Sequence, residues 1–247
     1  MILGALGLWA CGVPTLGAGR APTLVAHGGG PVSGGAAQKL VALAPQRRVL
    51  LSPYSGDPGQ VAAEEASYMR SWGFGRIDVL DLSDPAAARA QIAAAGMVWF
   101  AGGLQKAQVQ ALTGVPGVQK ALLAAYQAGT VMAGGSAGAA VLTRLMISGG
   151  KDGEVYTRAG LGFWPEAVLD QHVRARHREY RLQKVIAQNP SLIGIGLDEG
   201  CMIVLRDGRF SVSGTGLAIV TRWVDGALAE DRLKPGQSYD MTRLQRA

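Results

Sequence analysis

GTVMAGGSAGAAVLTR, residues 129–144, decides how the rest of the chain is read. An apolar run suited to a buried strand stops at Gly134-Gly135, presents Ser136, and resumes at once as small, helix-forming residues. Gly134, Ser136 and Gly138 keep the Gly-x-Ser-x-Gly spacing of a sharp strand-to-helix turn that exposes a serine hydroxyl, where only small neighbours let the chains pass. Such a turn sets the Ala137 N–H and the helix N-terminus beside the hydroxyl, ready to hold an oxyanion. The plainer reading of the same residues is that Ser136 only caps the helix.

Working outward, short apolar runs alternate with helical patterns. TLVAHGGG, RRVLLSPYSG, RIDVLDL, GMVWFAGG and TVMAGGS read as strands; GQVAAEEASYMRSWG, AAARAQIAAAG and GVQKALLAAYQAG read as helices closed by glycine. This alternation predicts an α/β fold built on a mostly parallel, doubly wound sheet, with ligands gathered at the carboxyl ends of the strands. Past residue 190, CMIVLRDGRFSVSG reads as a hairpin about Asp207-Gly208, and LAIVTRWVDG as a further strand, so the C-terminal part is expected to extend the sheet in antiparallel fashion.

Composition agrees with a globular enzyme-sized chain. The 247 residues are 48% hydrophobic, and the 36 glycines fall between apolar runs as turns rather than in a linker-like period. A formal charge of +6 raises nucleic acid as a partner, but the densest basic cluster, RARHREYR at 174–181, has no aromatic platform or repeated stripe beside it, and nucleic-acid binding is not expected. Cys11 and Cys201 form neither a disulfide framework nor a metal spacing, and the three histidines are scattered, so no metal site is expected.

The N-terminus, MILGALGLWACGVPTLGAG, has an apolar core of signal-peptide length, although it lacks the usual basic n-region. Residues 1–20 are therefore read as a signal or lipoprotein segment, with Cys11 as a point of lipid and membrane attachment, and residues 21–247 as one domain. An exported protein follows from this reading; a cytoplasmic one is the alternative.

A serine nucleophile needs a base and a group to orient that base. His172, at the end of AVLDQH, is the best-placed base; His27 lies in a glycine turn, and His177 in a charged pattern that should face solvent. For the acid, Asp170, Glu154, Asp198 and Glu199 all remain open on spacing alone. The glycines of HGGGPVSGG could cradle a phosphate, but Ser33 stands where a dinucleotide fingerprint needs its third glycine, and a tight turn explains them as well.

AGGLQ at 101–105, GGSAGAAVL at 134–142, GLGFWPEAVLDQHVRARHREYRL at 160–182 and NPSLIGIGLDEG at 189–200 resemble, in order, the signature blocks of the cyanophycinase and aspartyl dipeptidase (dipeptidase E) serine peptidases. The resemblance implies a flavodoxin-like, class I glutamine amidotransferase-like fold and a Ser-His-Glu triad of Ser136, His172 and Glu199. It implies an oxyanion site in which Gly102 and Gly103 join Ala137. Gln105, Asp170, Gln171, Arg176, Arg178 and Arg181 match substrate-binding positions of the cyanophycinase branch, where arginine forks would grip carboxylates. Leu104 departs from the pattern, standing where many members carry an acidic residue, which alters how a cationic or amino-terminal group would be bound; Gly135 replaces a common threonine.

The resemblance thus implies hydrolysis of cyanophycin, or of other aspartyl or β-aspartyl peptides, with no cofactor, and it admits a homodimer. A catalytically silent binding protein on the same fold and an amidotransferase-type glutaminase are the alternatives; the latter chemistry normally has cysteine at the position of Ser136.

Overall fold

The computed structural model of the chain describes residues 20–150 and 153–246. The expected signal segment and Cys11 lie outside the described residues, apart from Arg20.

Five strands supply the parallel part of a nine-stranded sheet: β1 (Thr23–His27), β2 (Arg48–Ser52), β3 (Arg76–Val79), β4 (Met97–Phe100) and β5 (Val131–Gly135), in the order β1-β5-β4-β2-β3. These are the five runs expected as strands. Helices α1 (Gly34–Leu43), α2 (Pro58–Trp72), α3 (Pro85–Ala94), α4 (Gln105–Gly114), α5 (Val118–Gln127) and the short α6 (Ala137–Ala140) connect them. The pattern picked out α2, α3 and α5. The helix starts have local causes: the Asp57 carboxylate accepts the Gln60 N–H and the Asp84 carboxylate accepts the Ala86 N–H, each followed by a proline at the first helical position. Ser33 caps α1 in the same way, accepting from the Ala36 N–H.

Side-chain alternation along the strands sends residues to two cores. Val25, Val49, Leu51, Met97 and Trp99 face Leu40 of α1 and Met69 of α2. Leu24, Ala26, Leu50, Val98 and Phe100 face Ile92 of α3 and Leu122 of α5. Both faces of the parallel part are therefore covered, which is why its strands read as continuous apolar runs.

After α6 come β6 (Leu145–Gly149) and β7 (Tyr156–Ala159), paired with each other, then β8 (Ala167–Gln171), α7 (Glu179–Gln188) and β9 (Ile193–Leu197). The hairpin of β10 (Cys201–Arg206) and β11 (Arg209–Gly214) adds antiparallel to β1, as the Asp207-Gly208 turn led one to expect. The run LAIVTRWVDG behaves differently. As β12 (Ala218–Val224) it leaves that sheet and joins β13 (Ala227–Leu233), β9 and β8 in a second, four-stranded sheet, before β14 (Ser238–Asp240) and β15 (Gln245–Arg246) return to the edge of the first. Nothing in the local pattern of β12 distinguishes the two sheets, because either offers an antiparallel edge and an apolar face.

The two sheets meet at the carboxyl end of β1. Register places His27 beside Gly135, Phe100 beside Gly134 and Ser52 beside Phe100, so the loops after β1, β2, β4 and β5 share one edge. In the second sheet the parallel pairing of Gln171 with Leu197 brings out the residues after β8 and β9 side by side. The Gly28 carbonyl accepts the His172 N–H (3.0 Å) and the Gly29 carbonyl accepts the Gly200 N–H (2.8 Å), which joins the two edges.

Candidate active site

Ser136 sits between β5 and α6 with φ 53° and ψ −117°, a backbone conformation that costs a non-glycine residue energy and persists only where the surroundings enforce it. Its N–H donates to the His27 carbonyl (2.9 Å), which ties the turn to β1. Close passage explains the flanking glycines: a Cβ on Gly138 would overlap the Phe100 carbonyl, and one on Gly134 would overlap the Gly138 carbonyl. The Ser136 side chain makes no capping bond, so the N-cap reading does not hold. Its Oγ instead lies 2.7 Å from His172 Nε2.

His172 follows β8 at φ 54°, and its Nδ1 lies 2.6 Å from Glu199 Oε1. His172 thus emerges from the second sheet rather than the main one. Glu199 belongs to the turn after β9, and of the four open carboxylates it is the one that meets the imidazole. Asp198 turns away to accept from the Arg174 and Leu217 N–H groups, and Glu154 is a surface residue 3.9 Å from Lys184. The Gly28–Gly30 turn has a steric cause and no need of a phosphate: a Cβ on Gly29 would overlap the His172 ring, and one on Gly30 would stand 2.9 Å from Glu199 Cβ. Burial, followed by the charges of Arg176 and Arg178 and opposed by Glu199, holds the His172 pKa below the ordinary histidine value.

The expected oxyanion donors need one correction. Gly102 lies against Ser136, but its N–H already donates to Glu65 Oε1 (3.1 Å), so it is not free for a substrate oxygen. Gly103, at φ 134°, and Ala137, which opens α6, are the remaining two of the three.

The expected substrate contacts divide. Asp170 and Arg181 are almost wholly buried and form an ion pair with each other, Arg181 Nε to Asp170 Oδ2 at 3.1 Å; they join β8 to α7 and do not face a ligand. Burial, outweighing the two nearby arginines, pushes the Asp170 pKa up to about 6. Gln171 is buried as well, and its carbonyl accepts from Arg178 Nη1 (3.2 Å). Gln105 donates through Nε2 to the Ile147 carbonyl (3.0 Å), tying α4 to β6. Arg176 is exposed and Arg178 half-buried, and both act electrostatically on His172; these two of the three arginines stay near that ring, while Arg181 turns inward.

Two further residues belong to the site. Glu65 of α2 also accepts from Trp99 Nε1 (3.2 Å) through its other oxygen, and burial raises its pKa. A signal for it existed: Glu65 stands four residues from Val61 and four from Met69, an acid on the apolar stripe of an amphipathic helix. His27 is buried beside His172, and burial followed by that neighbour's charge lowers its pKa to about 4. Among the described residues no group of three His, Cys, Asp or Glu side chains is arranged to hold a metal ion.

The chain is similar to known proteins in sequence and in fold. The chain is 33% identical over 175 residues to a cyanophycinase from Trichormus variabilis, covering 66% of this chain and 58% of that protein. It is 42% identical over 106 residues to a cyanophycinase from Geminocystis herdmanii, covering 40% and 38%. The match thus spans 58% of the first relative's length and 38% of the second's. In fold it is similar to a peptidase from an acI-B1 actinobacterium (TM-score 0.70, 19% identity, 89% of this chain and 97% of that one). It is also similar to a putative peptidase E from Listeria monocytogenes (TM-score 0.58, 14% identity, 79% and 99%). The sequence profile of Peptidase family S51 matches residues 31–213, a span that takes in the Ser136 turn, His172 and Glu199 together, and the chain belongs to that family.

Proposed function

We propose that this protein is a serine peptidase that hydrolyses cyanophycin, the aspartate polymer with arginine on its side chains, to β-Asp-Arg dipeptides, or cleaves closely related aspartyl peptides. The observation that carries the reading is the unbroken line from Ser136 Oγ through His172 to Glu199 at a strained strand-to-helix turn. Ser136 attacks the carbonyl carbon, His172 Nε2 takes its proton and later gives it to the leaving amine, and Glu199 holds the Nδ1–H so that Nε2 is the accepting nitrogen. The Ala137 and Gly103 N–H groups receive the charge that develops on the carbonyl oxygen. Arg176 and Arg178 are the arginines placed to meet substrate carboxylates.

Incubation with purified cyanophycin and a panel of α- and β-aspartyl dipeptides, with products identified by mass, tests the assignment. Release of β-Asp-Arg from the polymer supports it, cleavage of the dipeptides alone moves the substrate to small aspartyl peptides, and no cleavage of either overturns it.

The direction of the His172 shift sets a pH expectation. A base must be neutral to accept a proton, so the rate is lost as pH falls through the His172 pKa, and the acid limb of kcat/KM is expected below the ordinary histidine value of about 6.5. Arg176→Gln removes a repelling charge, raises that pKa and should move the limb to higher pH. The profile is to be measured on a small neutral ester, which has no carboxylate for Arg176 to bind. A limb that stays in place or moves lower would contradict the assignment of His172 as the titrating base.

A further inference from the structure

A cavity of about 530 Å³ opens beside Ser136, with His27, Glu65, Tyr68, Trp72, Trp99 and Gly102 in its wall. It is an unusual mixture of one carboxylate and three aromatic rings. Trp72 and Trp99 meet edge to face with centroids 5.5 Å apart, and Trp72 is half-buried while Trp99 is almost fully covered, so Trp72 offers the more open ring.

Glu65 is the feature that asks for a ligand. Its two oxygens each accept one hydrogen bond, from Gly102 N–H and Trp99 Nε1–H, whereas a carboxylate has about four acceptor positions. Among the described residues no basic side chain pairs with it, and the charge that bears on it is that of Glu64, of the same sign. A half-buried anion without a counter-charge is costly. It is costlier here, because it is bonded to the loop beside Ser136, where negative charge develops on the substrate carbonyl during attack and would be repelled. A cation brought in with the substrate removes both penalties. His27 completes the polar inventory. Its Nδ1 accepts the Gly29 N–H (3.2 Å), which leaves the proton on Nε2, a buried donor without a partner in the wall of the same cavity. A substrate residue carrying a cation at its tip and a carbonyl in its backbone would satisfy both groups.

We infer that this cavity is a subsite for a positively charged substrate group, a guanidinium or an ammonium, held by the Glu65 carboxylate against the face of Trp72. The inference rests on the hydrolase reading for its placement beside the scissile bond. Planar guanidinium groups stack on aromatic faces and fork onto carboxylates, so the arginine side chain fits the walls better than lysine.

Binding measured in the Ser136→Ala protein needs no turnover, so it separates this subsite from the question of whether the enzyme cleaves cyanophycin. Acetyl-arginine amide, acetyl-lysine amide and acetyl-citrulline amide are to be compared by titration calorimetry. Charge-assisted contact predicts that the arginine ligand binds about 10- to 100-fold more tightly than the neutral citrulline ligand. Adding Glu65→Gln, which keeps an acceptor for the Gly102 N–H but loses the charge, should bring that ratio to about twofold or less. Trp72→Leu, at a half-buried position, is the second variant and should lower the ratio by about threefold or more through loss of the ring face. A lysine ligand as tight as arginine supports a subsite for cations in general, and a weaker one supports a guanidinium site. A ratio of arginine to citrulline near unity in the Ser136→Ala protein, or one left unchanged by Glu65→Gln, overturns the inference.

Discussion

Ser136→Ala is expected to lower kcat by about 10⁴-fold or more, because loss of a nucleophile removes the acyl-enzyme route and leaves only binding and oxyanion contacts. The fold should persist, since the side chain caps nothing and its one contact of note is the 2.7 Å approach to His172 Nε2. Turnover is to be followed on cyanophycin or an aspartyl dipeptide, with circular dichroism as the check on folding. Covalent labelling by a serine-directed phosphonate should disappear in the same variant. More than a few per cent of wild-type activity in the well-folded variant would take Ser136 out of the mechanism.

The second large effect is expected at Glu199. Glu199→Gln keeps the shape but can present an N–H to His172 Nδ1, which favours the tautomer with the proton on the wrong nitrogen, and the imidazolium loses its stabilising charge. A loss of about 10³- to 10⁴-fold in kcat with little change in KM is expected, as when a triad acid is made an amide. Glu154→Gln is the control. Glu154 is 70% exposed at its side chain and only 3.9 Å from Lys184, a surface pair of small energetic worth, so its activity should stay within about twofold of wild type. A large loss at Glu154 with little at Glu199 would reverse the assignment.

How far the site could be read before folding depends on how local each signal is. Ser136 was legible because the constraint that exposes it is local: a strand, small residues and a helix within ten positions can be arranged in few ways. His172 was legible as the end of an apolar run. The carboxylate that meets it was not, since Asp170 stands two residues away and Glu199 twenty-seven, and only the resemblance to a known family favoured Glu199. The structure gives the reason. Every position of β8 is buried, so Asp170 points into the protein and pairs with Arg181, and alternation along a strand covered on both sides does not tell inward from site-facing. The parallel pairing of β8 with β9 is what brings Glu199 to the imidazole.

By itself the sequence determined the alternation of strands and helices, the turn that presents Ser136, the hairpin about Asp207-Gly208, and the glycines without which the chains could not pass. These follow from periodicity, capping and steric exclusion, all of which act between residues near one another in the chain. Tertiary structure alone decided that β12 joins a second sheet, that Arg181 is buried while Arg176 stays exposed near His172, that the Gly102 N–H is taken by Glu65, and that Glu65 and His27 face the space beside the serine. Each of these is a choice among distant partners of similar chemistry. An exposed arginine and a buried one have the same side chain, and what separates them is which carboxylate the packed chain carries to within reach.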